Sequence, residues 1–185
     1  MVDDGALVQQ CLAGDADSLR AFVERFQGPV LGLCYRMLGH RQDAEDIVQD
    51  VFLRAFRSLS RWDPTRELKP WLFTIAANRC RTHLSNRSRQ LPLYESAPEA
   101  STAAPDHAAA DLAEELQRAL ANLREEYRLC FVLFHEQDMS CAEIGTVLGC
   151  PQGTVKTWLH RARRELAEQL AGRGFLVESA RADTV

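Results

Sequence analysis

No apolar run in this 185-residue chain approaches the roughly 20 residues that a bilayer span needs; the longest, such as residues 129–134, stop far short. The opening "MVDDGALVQQ" is acidic where a secretory leader would be basic, so a cytoplasmic protein with no membrane partner is expected. No two of the six cysteines (Cys11, Cys34, Cys80, Cys130, Cys141 and Cys150) form a CxxC pair, and a reducing compartment keeps them as thiols. Cys130, His135, Cys141 and Cys150 include soft ligands that zinc accepts, but they lack the close-spaced pairs of a structural site, so no metal and no cofactor is expected. No nucleophile, base and orienting group fall together in one motif, which argues against an enzyme. There is no internal repeat, and no stretch carries the two-residue alternation of a half-buried strand.

What the chain does contain is helical periodicity. Apolar residues recur at Leu19, Phe22, Val23 and Phe26, and again at Ile47, Val48, Val51, Phe52, Ala55 and Phe56. Breaks at Gly28-Pro29, at residues 39–41 and at "DPTRELKP" divide residues 18–84 into four predicted helices. From residue 89 to 111 the composition turns to Ser, Ala and Pro without a sustained period, which predicts a flexible linker. Helical spacing resumes at Leu112, Leu116, Leu120 and Leu123 and persists to Leu166; beyond Ala171 a polar tail with Gly172 and Gly174 follows. The expected fold is all-α: an N-terminal helical domain over 1–88, a linker over 89–111, a C-terminal domain over 112–171 and a flexible tail over 172–185.

The C-terminal domain carries the strongest local signal, "MSCAEIGTVLGCPQGTVKTWLHRARREL". Ser140 followed three residues later by Glu143 is a reciprocal capping pair at a helix start. That helix stops at Leu148, because Gly149 favours the left-handed terminating conformation and Pro151 cannot continue it. A second helix then starts around Pro151 to Gly153, with Gly145 allowing close approach and Ile144, Leu148, Val155 and Leu159 forming a shared core. Two helices joined by about three residues form a helix-turn-helix. With Val155, Leu159 and Ala162 inward, Lys156, Thr157, His160 and Arg161 face outward, and Arg163 and Arg164 extend a basic surface suited to a DNA groove and its phosphates.

Two further segments carry charge. "AANRCRTHLSNRSR" places Arg79, Arg81, Arg87 and Arg89 behind the aromatics Trp62, Trp71 and Phe73, a combination suited to melted nucleic acid, although at least one of those rings is expected inside the core. "RQDAEDIVQDVFLRAF" sets Asp43, Asp46 and Asp50 along one helical face, which reads equally as solvated surface or as a protein-docking face.

Together "DAEDIVQDVFLRAFRSL", "PWLFTIAANRCRTHL" and "LANLREEYRLCFVLFHEQDMSCAEIGTVLGCPQGTVKTWLHRARREL" occur in an order and spacing that resembles the extracytoplasmic-function (ECF) group of bacterial RNA polymerase sigma factors. The resemblance covers nearly the whole chain. It implies an alternative sigma factor that directs core polymerase to specific promoters and helps open them. By this resemblance Asp43, Asp46, Gln49, Asp50 and Phe52 dock on the clamp of the largest polymerase subunit. Trp62, Trp71, Asn78, Arg79 and Arg81 contact the −10 element, and Lys156, Thr157, His160, Arg161, Arg163 and Arg164 the −35 element. An anti-sigma factor that covers the polymerase-binding surface is a further partner of such proteins.

The competing readings are a free-standing helix-turn-helix regulator, which would be a dimer on a palindrome, and a thiol or zinc sensor. Promoter elements about two helical turns apart lie on the order of 60 to 70 Å from one another. A linker of this size spans about 28 Å on average and about 85 Å when extended, so it reaches only when stretched. The two domains are therefore expected to pack together in the free protein, and the net charge of −4 is expected to weaken its binding to random DNA.

Overall fold

The computed structural model describes residues 3–90 and 107–172; the central part of the expected linker and nearly all of the expected tail lie outside them. Among the described residues there are eight α-helices and no strand. The first unit comprises α1 (Asp4–Leu12), α2 (Ala16–Leu38), α3 (Arg41–Ser58) with a 3-10 turn after it (Leu59–Arg61), and α4 (Leu68–Gln90). The second comprises α5 (His107–Asn122), α6 (Glu125–His135), α7 (Cys141–Leu148) and α8 (Gln152–Ala171). Helix α5 thus starts inside the stretch expected to be linker, and α4 runs two residues past the expected domain end.

Two sequence expectations fail in the first unit. Helix α1 was not expected, yet Asp3 caps it through the Ala6 amide at 3.1 Å and it buries Leu7, Val8 and Cys11. Gly28-Pro29 does not end a helix; it lies within the 23 residues of α2. Proline there removes one amide donor, but Gly28 is exposed, while Phe22, Phe26, Val30 and Leu33 on the other face are buried. Burying that continuous stripe outweighs the local penalty, since a large apolar side chain contributes about 1.5 to 3 kcal/mol when taken from water. The real end of α2 is Gly39, with φ 71°, whose amide donates to the Tyr35 carbonyl at 2.8 Å.

The core of the first unit is aromatic, with Phe22, Phe26, Phe52 and Phe56 in tilted or edge contact. Cys34 and Cys80 meet between α2 and α4 with sulfurs 3.7 Å apart, and the hydrogen bond with Cys80, followed by burial, raises the pKa of the Cys34 thiol.

The two units pack directly, α4 against α7 and α2 against α5 and α6. Arg36 on α2 binds Glu136 at 2.8 Å and Gln117 at 3.2 Å, and Gln117 donates back to the Tyr35 and Arg36 carbonyls. Arg128 donates to the Met37 carbonyl at 2.7 Å, and Lys69 to the Gln137 carbonyl at 2.5 Å. These bonds give partners to the Arg36 and Met37 carbonyls at the end of α2 and to the Gln137 carbonyl just past α6, and add a second donor to the Tyr35 carbonyl, which already accepts from Gly39.

Candidate nucleic-acid and polymerase interface

The helix-turn-helix forms as its capping pattern requires. The Ser140 hydroxyl accepts from the Glu143 amide at 3.2 Å, and the Glu143 carboxylate accepts from the Ser140 amide at 2.7 Å. Gly149 ends α7 in the left-handed region at φ 66°, and the Cys150 amide turns back to the Gly145 carbonyl at 3.0 Å. A Cβ on Gly145 would sit 2.8 Å from the Cys150 carbonyl oxygen, so only glycine fits this turn. Ile144, Val155 and Leu159 are buried as expected, but Val147 fills the position assigned to Leu148, which is half-buried. Pro151 is the residue before α8 and not part of its first turn.

On α8, Val155, Leu159, Ala162 and Leu166 face the core, and Lys156, Thr157, His160, Arg161, Arg163 and Arg164 are exposed. Three of the arginines are held by neighbours. Arg161 donates to the Tyr127 hydroxyl at 3.0 Å, and Arg164 lies 3.7 Å from Glu168. Arg163 donates from Nε to His135 Nε2 at 3.2 Å while its guanidinium lies 5.2 Å from the Phe134 ring centroid. Burial and the Arg163 charge lower the His135 pKa, which keeps the imidazole neutral and able to accept.

The acidic face of α3 has Asp46 and Gln49 exposed and Asp43 and Asp50 half-buried. Phe52 does not share that face: it is in the aromatic core, because the apolar stripe of α3 points there. Helix α4 supplies partners for these acids. Arg79 reaches Asp50 at 2.5 Å, His83 reaches Asp43 at 3.4 Å and Arg87 reaches Asp43 at 3.6 Å, while Arg54 shares Asp50 at 2.9 Å. Residues 79, 83 and 87 are spaced one turn apart, a signal present in the sequence but read there only as a basic run.

The residues expected at the −10 element are thus distributed. Trp62 is buried beside the 3-10 turn with its indole N–H unpaired among the described residues, and Phe73 is fully buried. Trp71 is half-buried, Asn78 is exposed, and Arg81 crosses to Glu125 of α6 at 2.7 Å. The loop before α4 is exposed and shaped by Asp63, which accepts from the Thr65 amide at 3.0 Å and hydroxyl at 2.7 Å, bonds that lower its carboxyl pKa.

Among the described residues no group of three His, Cys, Asp or Glu could hold a metal, and His135 is engaged with Arg163 instead of the cysteines. Burial, followed by the proximity of Cys150 and Cys141, pushes the Cys130 thiol up to about 12, far from the reactive thiolate range.

Residues 22–90 match the family model for sigma-70 region 2, and residues 113–166 that for sigma-70 region 4. The chain is 33% identical to the ECF RNA polymerase sigma factor SigW of Bacillus subtilis, over 88% of this chain and 94% of that one. The chain belongs to the ECF sigma factors. It is also 30% identical to the RNA polymerase sigma-H factor of Pseudomonas aeruginosa, over 90% of this chain and 93% of the relative. Among solved structures, CnrH in complex with the cytosolic domain of CnrY superposes with a TM-score of 0.72 at 27% identity, covering 92% of this chain and 99% of that one. As an ECF sigma factor the chain is a transcription initiation factor that directs core RNA polymerase to specific promoters, and core polymerase and promoter DNA are its partners. No helix among the described residues is long and apolar enough to cross a membrane.

Proposed function

We propose that the two charged surfaces divide the work of this sigma factor. The exposed part of α3, Asp46 and Gln49 with Asp43 and Asp50 at its edge, docks on the clamp of the largest polymerase subunit. Phe52 supports that face from behind. Asn78, Arg79, Arg81 and Trp71 on α4, with Trp62 anchoring the preceding loop, engage the −10 element. Lys156, Thr157, His160 and Arg161 on α8, flanked by Arg163 and Arg164, read the −35 element. The observation that carries this reading is the exposure of both faces on one chain, an acidic stripe on α3 and a basic one on a capped helix-turn-helix.

In this reading the protein works in the cytoplasm and catalyses nothing itself; polymerase performs the chemistry. The packed arrangement belongs to the free chain, since Arg81 is bound to Glu125 across the two units and becomes available to DNA once they part. An anti-sigma protein fits the same scheme as an occupant of the α3 face. Domains 1–88 and 112–171, adjusted to the ends of α4 and α5, then act as separate bodies on polymerase.

Reconstitution tests the proposal. Purified chain added to core polymerase should give transcripts from a random promoter library that share two spaced sequence elements. A chain that binds a palindromic duplex as a dimer without polymerase would favour the free-standing regulator.

A further inference from the structure

The −35 surface is held from behind by α6, and one contact there assigns a role to a residue that has none so far. Tyr127, in the first turn of α6, buries its ring to 4% exposure, yet its hydroxyl reaches Arg161 Nη1 at 3.0 Å. The ring is fixed from another side by Arg124, whose guanidinium carbon lies 5.3 Å from the ring centroid. Arg161 is otherwise exposed, and the bond raises its pKa. Lys156 and His160, one turn apart on the same helix, make no hydrogen bond or ion pair to a described residue, and the Thr157 hydroxyl bonds only within α8, to the Gly153 carbonyl at 3.0 Å.

Resting on the reading of α8 as the −35 helix, we propose that Tyr127 is a positioning residue that aims Arg161 at the promoter. An arginine fork gains specificity when its plane is fixed, because bidentate recognition needs both donors at once. A free arginine carries considerable rotamer entropy, part of which is lost on binding. The Tyr127 bond takes up one Nη1 donor and restricts the fork before DNA arrives. Nη2 and Nε remain to meet a base edge or phosphate. Tyr127 itself touches no DNA in this arrangement.

Tyr127→Phe keeps the ring and removes only the hydroxyl, so the fold should be retained with at most a small fall in melting temperature, which circular dichroism checks. Full-length chain, wild type or variant, is assembled with core polymerase and used to select duplexes randomised across the upstream element. Tyr127→Phe should lower discrimination roughly two- to tenfold, the worth of one hydrogen bond, at the positions that Arg161→Ala also flattens. Other positions should be unchanged, and the double variant should be no worse than Arg161→Ala alone. The proposal is overturned if Tyr127→Phe leaves those positions untouched, weakens all positions equally, or adds to Arg161→Ala. It is likewise overturned if Arg161→Ala flattens nothing. A wild-type holoenzyme that enriches no upstream sequence would instead overturn the −35 reading on which it rests.

Discussion

Substituting Gly145→Ala puts the helix-turn-helix to a quantitative test. In an ordinary helix interior alanine is favoured over glycine by about 1 kcal/mol. Here the added Cβ would lie 2.8 Å from the Cys150 carbonyl oxygen, and the obstacle is backbone. That backbone cannot withdraw cheaply: the Cys150 amide is bonded to the Gly145 carbonyl at 3.0 Å, and the turn is set by Gly149 at φ 66°. Overpacking of this kind costs about 1 to 3 kcal/mol, and the rigid obstacle places it in the upper part of that range. The net expectation is a loss of about 1 to 2 kcal/mol after the propensity gain. For a chain of this size that is a fall of about 2 to 8 °C in melting midpoint, measured by far-ultraviolet circular dichroism. Gly32→Ala is the control, since its Cβ would meet only the Gln137 side chain, at an ordinary 3.6 Å in mid-helix, and it should be neutral or stabilising. If Gly145→Ala melts at or above the wild-type temperature, the tight crossing of α7 and α8 is wrong.

Two other expectations concern the contact between the units. Glu136→Arg should separate α2 from α6, read as a longer distance between fluorophores on α4 and α7, and adding Arg36→Glu should restore it, because the wild-type pair lies at 2.8 Å; a distance unaffected by the single variant contradicts the role of that pair. The contact should also tighten in acid. The Glu67 carboxyl is raised above its ordinary 4.5 chiefly by the Glu143 carboxyl beside it, then by burial and by repulsion from Asp4, with Lys69 opposing. Burial alone would raise Glu143 too, but its bonds to Ser140 and the proximity of Glu67 hold it low. A raised carboxyl favours the packed form below its ordinary value and loses that contribution as pH rises through the raised one. The same fluorophore distance should therefore shorten as pH falls from 7 toward 4.5, and Glu67→Gln should abolish the dependence.

Local rules reached the helix-turn-helix because each of its signals, Ser140 with Glu143, Gly149 and Pro151, acts within a few residues. They failed at Gly28-Pro29 for the opposite reason: what keeps α2 whole is burial against distant helices, which no local breaker reports. Helix α1 is legible in Asp3 and in the spacing of Leu7, Val8 and Cys11, a pattern that the acidity of the segment does not reveal. Phe52 and Trp62 were placed by family likeness on contact surfaces, although the apolar stripe of α3 already pointed Phe52 inward. The pairs Arg81 with Glu125 and Arg161 with Tyr127 join residues 44 and 34 apart in the chain, and only the tertiary fold brings them together.

The most direct test of the division of labour is co-purification with core RNA polymerase of the wild-type chain and an Asp46→Arg, Asp50→Arg variant. Because Asp50→Arg removes the carboxylate that Arg79 and Arg54 share and sets a third cation beside them, retained helical content is confirmed by circular dichroism before the two chains are compared. The wild type should be retained by core polymerase and the variant lost. If the folded variant is retained as well as the wild type, the α3 face is not the polymerase dock, and its acids serve only to hold the arginines of α4.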